Sequence, residues 1–291
     1  MSAFLDMRTL ALASGIMGLA LCLCLCYVYF TRKTYPGFRT WTLGLVVGAV
    51  GTALLGLRAQ LPDLVTVVLA NLCLMAAVVL LTRGLAHFCE ARQHNLWDGA
   101  ILVLVTAAYW YFTLVHPDLN TRVALLYLLS VPLWLRCFAY TWRGVLAVLP
   151  RRNLLLALSF AFLSLWSLGF AGWTYFFDAR IVDYLHATPV HGVGIVVGMV
   201  FRLFVILGLI GLNAQRLELD LHQADREIEF LRGLLPVCAN CKRIRDGEGA
   251  WQAMESYLQK QAGLQVTHGV CPECMQKLYP EIYDRVKDRL S

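Results

Sequence analysis

The sequence predicts a mainly α-helical protein with a seven-helix transmembrane bundle, a coiled-coil helix and a small α+β domain at the C-terminal end. Three observations support this prediction. The 291-residue chain is 59% hydrophobic and 15% charged, with a mean hydropathy of +0.61, well above that of soluble domains. Long apolar runs follow one another from Thr9 to Asn213. From Gln215 onward the composition is that of a soluble protein, and two C-x2-C pairs occur there.

A transmembrane helix needs about 20 mostly apolar residues to cross roughly 30 Å of hydrocarbon. Arg32 and Lys33, without a small-residue cleavage site, follow the first apolar run, so we expect it to remain as a span rather than be removed as a signal peptide. The predicted spans are Thr9–Phe30, Trp41–Leu57, Leu61–Thr82, Leu96–Val115, Thr121–Trp142, Asn153–Phe177 and Pro189–Leu212.

Basic residues are distributed unevenly among the loops. The loops after the first, third and fifth spans are richer in Lys and Arg than the alternate loops. The positive-inside rule therefore predicts an N-terminus outside the cell and a cytoplasmic C-terminal region. The net charge of +6 is explained by these orienting loops, so we expect no nucleic-acid partner. The predicted domains are an extracytoplasmic tail (1–8), a transmembrane domain (9–212), a coiled-coil helix (213–235) and a four-cysteine domain (236–291).

Two arginines fall inside predicted spans, Arg136 in the fifth and Arg202 in the seventh. An unpaired guanidinium in the bilayer costs several kcal/mol, so both need partners or water. We find no Asp or Glu deep in a span, which leaves backbone carbonyls, Asn71, aromatic rings or a bound anionic or carbonyl-containing ligand. One hypothesis is a ligand pocket formed by Arg136, Arg202 and Asn71. The alternative is that Arg136 extends to the cytoplasmic surface and Arg202 bonds within the bundle.

The membrane part resembles bacterial seven-helix sensor modules fused to diguanylate-cyclase domains. The residues that carry this resemblance are the run 35–44 (Tyr-Pro-Gly-Phe-Arg-Thr-Trp-Thr-Leu-Gly), then Leu61-Pro62-Asp63, Ala70-Asn71-Leu72 and Thr82-Arg83-Gly84-Leu85. The resemblance implies a sensory input domain in a bacterial inner membrane. The Gly-Gly-Asp/Glu-Glu-Phe signature of the cyclase does not occur in this sequence, so cyclase activity is not implied.

A heptad pattern follows the seventh span. Apolar residues with alternating spacings of four and three occur at Leu217, Leu221, Ala224, Ile228, Leu231 and Leu235. This pattern predicts a coiled coil, which we expect to pair with a second copy as a parallel dimer. Such a helix is suited to transmit a shift or rotation from the bundle. The alternatives are a passive spacer or packing on the terminal domain of the same chain.

The two C-x2-C pairs are the most specific signal in the sequence: Cys238 with Cys241, and Cys271 with Cys274. Each pair can place two thiolates on one ion, and four thiolates form the tetrahedral shell that structural zinc prefers. Between the pairs the sequence predicts a strand that turns at Asp246-Gly247 and a short helix, as in a treble-clef-like zinc domain.

Several residues near the cysteines refine this prediction. Cys271 is expected at the N-cap of a helix with Pro272 in the first turn. His268 is expected to hydrogen-bond a thiolate rather than replace a cysteine ligand. The helix face between the pairs is assigned to Trp251, Met254 and Leu258. Haem attachment is disfavoured, because the residue after the second pair is not His.

The stretch 234–281 resembles a cysteine-rich module at the ends of bacterial signalling proteins. The resemblance rests on residues 234–246, Gly249-Ala250-Trp251, His268-Gly269-Val270-Cys271-Pro272-Glu273-Cys274 and Leu278-Tyr279-Pro280. It implies a signalling context rather than a reaction.

The leading functional hypothesis is a non-enzymatic receptor in the bacterial inner membrane. Seven helices sense a ligand or membrane state, a dimeric helix relays it, and a zinc-organised module binds an unidentified cytoplasmic signalling protein. The soluble region contains no phosphate loop, nucleophile-and-base motif or metalloprotease helix, so no enzyme is expected. The alternatives are a redox or metal sensor that acts through the cysteines, and a transporter with a regulatory domain.

Overall fold

A computed structural model of the chain describes residues 7–58, 60–178, 189–232, 236–263, 265, 267–283 and 285. The chain divides into two compact units, which we call the membrane unit (Met1–His222) and the C-terminal unit (Gln223–Ser291). Two predictions fall outside the described residues: most of the N-terminal tail, 1–6, and the last heptad position, Leu235.

The membrane unit is helical. Its helices are α1 (Met7–Thr31), α2 (Phe38–Gly56), α3 (Ala70–Phe88), α4 (Asn95–Trp110), α5 (Leu119–Ala139), α6 (Leu154–Phe176) and α7 (Pro189–Arg232). π-helical turns over Leu64–Leu69, Tyr111–Val115 and Tyr140–Gly144 extend α3, α4 and α5, and the last leads into a 3-10 turn over Val145–Ala147. In the described part of the chain, seven helices are long and apolar enough to cross a membrane, which confirms the predicted number and a multi-pass membrane protein.

The helix starts follow from local sequence. Asp118 caps α5 by accepting a hydrogen bond from the backbone N–H of Thr121 (3.2 Å), and Asn153 caps α6 in the same way (3.1 Å to Leu156). The second span begins at Phe38, earlier than predicted, because Gly37 adopts a left-handed conformation (φ 95°) that turns the chain directly into α2.

Glycines on α2 allow close packing against α3. A Cβ atom at Gly44 would lie 3.1 Å from the Ala77 carbonyl oxygen, and one at Gly51 would lie 2.8 Å from the Ala70 carbonyl oxygen. These contacts are closer than a side chain normally permits. The small-residue spacing therefore brings the two backbones together, as is common in membrane helix pairs.

The turn before α2 packs against the end of α3 through a pair of glycines. A Cβ atom at Gly37 would overlap the carbonyl oxygen of Gly84, and one at Gly84 would overlap the Trp41 ring. Trp41 is 2% exposed and packs against Phe88 in the main core of the bundle. Both glycines belong to the segments that carry the resemblance to sensor modules, so these segments meet in the fold.

Besides the last residues of α7 and a helical stretch over residues 280–283, the described part of the C-terminal unit contains a small antiparallel hairpin and two further helices. These elements are β1 (Ile244–Arg245), β2 (Trp251–Gln252), α8 (Met254–Ala262) and α9 (Pro272–Leu278). The turn occurs where the sequence predicts it: the Asp246 carboxylate accepts hydrogen bonds from the N–H groups of Glu248 (3.1 Å) and Ala250 (2.8 Å). The predicted position of Trp251 on the helix is wrong, because Trp251 pairs with Arg245 in the hairpin.

Candidate functional site

A cavity of about 310 Å³ lies among α1, α2, α3, α5, α6 and α7. Its wall is mainly apolar and includes three tryptophan side chains, Trp41, Trp134 and Trp166. The charged group in this wall is Arg202 of α7. Its guanidinium packs against α1 where no side chain intervenes, since a Cβ atom at Gly18 would lie 3.1 Å from Nη1.

Arg202 has no hydrogen-bond or ion-pair partner among the described residues. Three hydroxyl-bearing side chains line the same wall, Tyr127, Ser130 and Ser167, and the oxygens of the two serines lie 3.4 Å apart across α5 and α6. Among the described residues, the site therefore combines one unpaired cation and the hydroxyl-bearing side chains of Tyr127, Ser130 and Ser167 with an aromatic and aliphatic surface. This combination is typical of a pocket that binds a small molecule by an apolar body and one charged end.

The other two residues of the predicted pocket lie elsewhere. The amide of Asn71 donates a hydrogen bond to the carbonyl of Val67 (2.7 Å), one turn earlier, and its side chain does not line the cavity. Arg136 donates from Nη1 to Asp98 Oδ1 (2.6 Å). The structure thus brings only Arg202 of the three to the cavity.

The partner of Arg136 is Asp98, which the sequence patterns do not predict. Its carboxylate is fully buried, and it also accepts a hydrogen bond from Nε of Arg83 (2.8 Å). This cluster joins α3, α4 and α5 through one buried carboxylate. Asp98 lies in the first turn of α4, just inside the predicted fourth span, so its position in the sequence was the available signal.

A second polar cluster surrounds the part of α7 that follows the cavity. We call it the α7 joint and define it by Lys33, Tyr35, Asn213, Arg216 and Asp220. Asn213, which is 4% exposed, accepts a hydrogen bond from the Tyr35 N–H (3.1 Å) and donates one to the Lys33 carbonyl (3.1 Å). Asp220 accepts from the Lys33 ammonium (2.7 Å) and from the Tyr35 hydroxyl (2.6 Å).

Arg216 completes the α7 joint from the side of α3. Its guanidinium lies 5.1 Å from the ring centroid of Tyr35 and 5.6 Å from that of Phe88, and it is 3.6 Å from the Glu90 carboxylate. The hydrogen bond to Asp220 raises the pKa of Lys33, as expected for an ammonium group beside a carboxylate. The joint therefore fixes α7 to the α1–α2 loop and to the end of α3. Tyr35 belongs to the sensor-like motif, but no sequence pattern linked it to Asn213 or Asp220.

Each C-x2-C pair forms a tight turn. In the first pair, Cys238 donates its N–H to the Arg243 carbonyl (2.8 Å), and Lys242 adopts a left-handed conformation (φ 58°). The backbone N–H groups of Cys241 and Asn240 lower the pKa of the Cys238 thiol. The lowered pKa of Cys238 favours the thiolate form that a metal binds.

The second pair opens α9 as predicted, with Cys271 at the N-cap and Pro272 in the first turn. The backbone N–H of Cys274 lowers the pKa of the Cys271 thiol, and contact with Cys271 raises the pKa of Cys274. The donor set fits zinc, because each turn brings two thiols together and aims backbone N–H groups at the first of them. Within the described residues, however, the two pairs and His268 do not form a group of three or more metal donors.

No family profile, curated protein or solved structure matches this chain. The resemblances to a seven-helix sensor module and to a cysteine-rich signalling module therefore remain predictions from the residues that carry them. The function has to be argued from the cavity, the α7 joint and the cysteine pairs.

Proposed function

We propose that this chain is a bacterial inner-membrane signalling receptor. In this proposal a ligand or membrane state alters the seven-helix bundle, a dimeric helix relays the change, and a zinc-organised module binds a cytoplasmic signalling protein. The observation that carries the proposal is that α7 is one continuous helix, Pro189–Arg232, which contains Arg202 in the cavity and Asp220 in the α7 joint. A helix is stiff along its axis, so a displacement at Arg202 reaches Asp220 without a hinge.

The α7 joint can exist in two states, with its hydrogen bonds intact or broken. Its hydrogen bonds to Lys33 and Tyr35 either hold α7 in register with the α1–α2 loop or are lost when α7 shifts or rotates. Because Asp220 and Lys33 are both partly exposed, water can replace their mutual contact at small cost. The joint thus contains weak polar contacts that can break and re-form, as a reversible switch requires.

The heptad residues beyond the joint support the dimer. Leu221 is 58% exposed and Ile228 is 47% exposed in the single chain. Apolar side chains at these spacings are suited to pack against a second copy of the same helix. In the proposed orientation this segment lies in the cytoplasm, as the basic loops favour.

The C-terminal unit is the proposed output. Four thiolates repel one another unless a cation lies between them, so we propose that zinc, which matches four sulfur donors, holds Cys238, Cys241, Cys271 and Cys274 together. His268 is proposed to donate a hydrogen bond to one of these thiolates. Zinc would hold the hairpin and α9 in a fixed arrangement that presents a surface to the partner protein. No catalytic role is proposed for this module.

Site-directed cross-linking in native membranes tests the dimeric relay. Leu221→Cys lies on the heptad seam, whereas Gln223→Cys on the same turn of α7 lies off it and serves as the matched control. The chain with its ten natural cysteines gives the background. We expect Leu221→Cys to form cross-linked dimers several-fold faster than Gln223→Cys, at a rate that changes when Tyr35→Phe weakens the joint. Equal cross-linking rates at the two positions would contradict the relay, and so would a rate for Leu221→Cys that is unchanged by Tyr35→Phe.

A redox sensor is the second candidate, favoured by the exposure of Cys241, Cys271 and Cys274. Within each close pair, two thiols would pass two electrons and two protons to hydrogen peroxide, giving one disulfide and two waters. Mild peroxide treatment of the full chain separates the candidates. Protected thiols and retained zinc support the structural module, and rapid disulfide formation with zinc release supports the sensor.

A further inference from the structure

We propose that the cavity binds a single-chain amphiphilic carboxylate, such as a medium-chain fatty acid, with its carboxylate on Arg202. The proposal rests on the receptor function and names the class of its ligand. It follows from the charge, the wall and the size of the cavity, which are argued in turn.

The charge selects an anion. Arg202 lies near the middle of the predicted seventh span, Pro189–Leu212, and this position would place it far from either membrane surface. Within the described part of the chain no carboxylate neutralises it. An uncompensated cation at this depth is unfavourable, and a carboxylate is the group that a guanidinium binds with two parallel hydrogen bonds. A neutral carbonyl or alcohol would leave the positive charge uncompensated.

The wall selects an apolar body. Trp41, Trp134, Trp166 and Leu209 surround the cavity with aromatic and aliphatic surface. The polar groups of the wall are few: the Arg202 guanidinium, the hydroxyls of Tyr127, Ser130 and Ser167, and the indole N–H groups of the tryptophans. A sugar, an amino acid or an inorganic anion would find too few hydrogen-bond partners in such a wall. A hydrocarbon chain is buried favourably there.

The size selects one chain. A volume of about 310 Å³ is at the lower end of the roughly 300–1,000 Å³ of small-molecule pockets. A phospholipid with two acyl chains and a headgroup exceeds it. Several glycines line the cavity, and a Cβ atom at one of them, Gly198, would meet no other atom within 4 Å. Gly198 therefore borders open space inside the bundle.

Tryptophan quenching by brominated amphiphiles tests the proposal on the full chain in phosphatidylcholine nanodiscs. The probes are bromododecanoate, the neutral bromododecanol and a phosphatidylglycerol brominated on its acyl chains. Because three tryptophans line the cavity, a bound brominated chain quenches their fluorescence saturably.

Two site variants are compared with matched controls. Arg202→Met removes the charge, with Arg152→Gln in an exposed loop as its control. Gly198→Leu fills the cavity while keeping Arg202, with Gly169→Leu, which has open space and lies outside the cavity, as its control.

We expect saturable quenching by bromododecanoate in the natural chain and in both controls. Bromododecanol, Arg202→Met and Gly198→Leu should each weaken binding by about 10-fold or more, the factor expected for loss of a charge-assisted hydrogen bond or of the space for the chain. Equal binding of the alcohol, or full binding to both site variants, overturns the proposal. Arg202-dependent quenching by the brominated phosphatidylglycerol instead assigns the site to a lipid headgroup and also overturns it. Since the cross-linking test of the relay needs no ligand, the relay can stand if this ligand fails.

Discussion

The hydroxyl of Tyr35, in the loop between α1 and α2, donates a hydrogen bond of 2.6 Å to the carboxylate of Asp220 on α7. These residues are separated by most of the membrane unit in sequence. The same carboxylate accepts a hydrogen bond of 2.7 Å from the Lys33 ammonium. Asp220 on α7 is therefore bonded to two residues of the loop that joins the first two spans.

The Asp98 cluster is predicted to be the main polar contribution to the stability of the bundle. Asp98→Asn leaves the guanidinium groups of Arg83 and Arg136 without a countercharge, and breaking such a pair costs about 3–5 kcal/mol. Equilibrium unfolding in mixed micelles of sodium dodecyl sulfate measures this loss. Asp63→Asn, at an exposed site, is the matched control. If Asp98→Asn lowers the free energy of unfolding by less than about 1 kcal/mol, the cluster contributes no more than a solvent-exposed ion pair.

The contact of Gly84 with Trp41 predicts opposite effects for two similar substitutions. Gly84→Ala places a methyl group against the Trp41 ring and is expected to destabilise the bundle by about 1–3 kcal/mol. Gly99→Ala on α4 meets no atom within 4 Å and is expected to stabilise it by up to about 1 kcal/mol. The same unfolding assay compares the two. If Gly84→Ala is as stable as the natural chain, the close packing of α2 on α3 is not tight.

Zinc content tests the four-cysteine site directly. Elemental mass spectrometry of the purified full chain is expected to find about one zinc per chain, because four thiolates satisfy one tetrahedral ion. Cys271→Ser is expected to lose most of this zinc, whereas Cys73→Ser, in the membrane unit, retains it. Zinc that persists in Cys271→Ser, or its lack in the natural chain, contradicts the structural metal site.

The thiols of the second C-x2-C pair are expected to differ in their dependence on pH. After zinc is removed by a chelator, Cys271 keeps its thiolate form to lower pH, since its pKa is lowered, while the raised pKa of Cys274 keeps that thiol protonated to higher pH. Iodoacetamide labelling followed by peptide mass spectrometry gives each rate. Labelling of Cys271 should therefore decline at a lower pH than labelling of Cys274. Coincident profiles would show that the turn does not distinguish the two sulfurs.

The spans were predictable because membrane insertion is decided by length and hydropathy, which are local properties. The same holds for the hairpin turn, where Asp246 and Gly247 have the conformational preferences that a turn needs. Cys271 was placed correctly at a helix N-terminus because capping also depends on adjacent residues. Trp251 was misplaced because an apolar residue before a short helix is compatible with either element.

The tertiary contacts were not predictable from sequence patterns. The pairing of Asp98 with Arg136 depends on how α4 and α5 pack, and that is decided by side chains distributed over the bundle. The α7 joint depends on a loop and a helix from opposite ends of the membrane unit. Arg202 was recognised as unusual, but its cavity became visible only once six helices were placed around it.

Hydrogen–deuterium exchange of the full chain in nanodiscs tests the central claim, that the bundle controls the C-terminal unit through α7. The comparison is between the natural chain, Tyr35→Phe at the α7 joint, and Tyr140→Phe, whose hydroxyl donates to the Arg92 carbonyl and which is not one of the residues that define the joint. The account predicts that Tyr35→Phe alone changes the exchange of backbone amides along Leu217–Arg232 and in the hairpin β1–β2. A change confined to the neighbourhood of residue 35, or the same change in Tyr140→Phe, would contradict it.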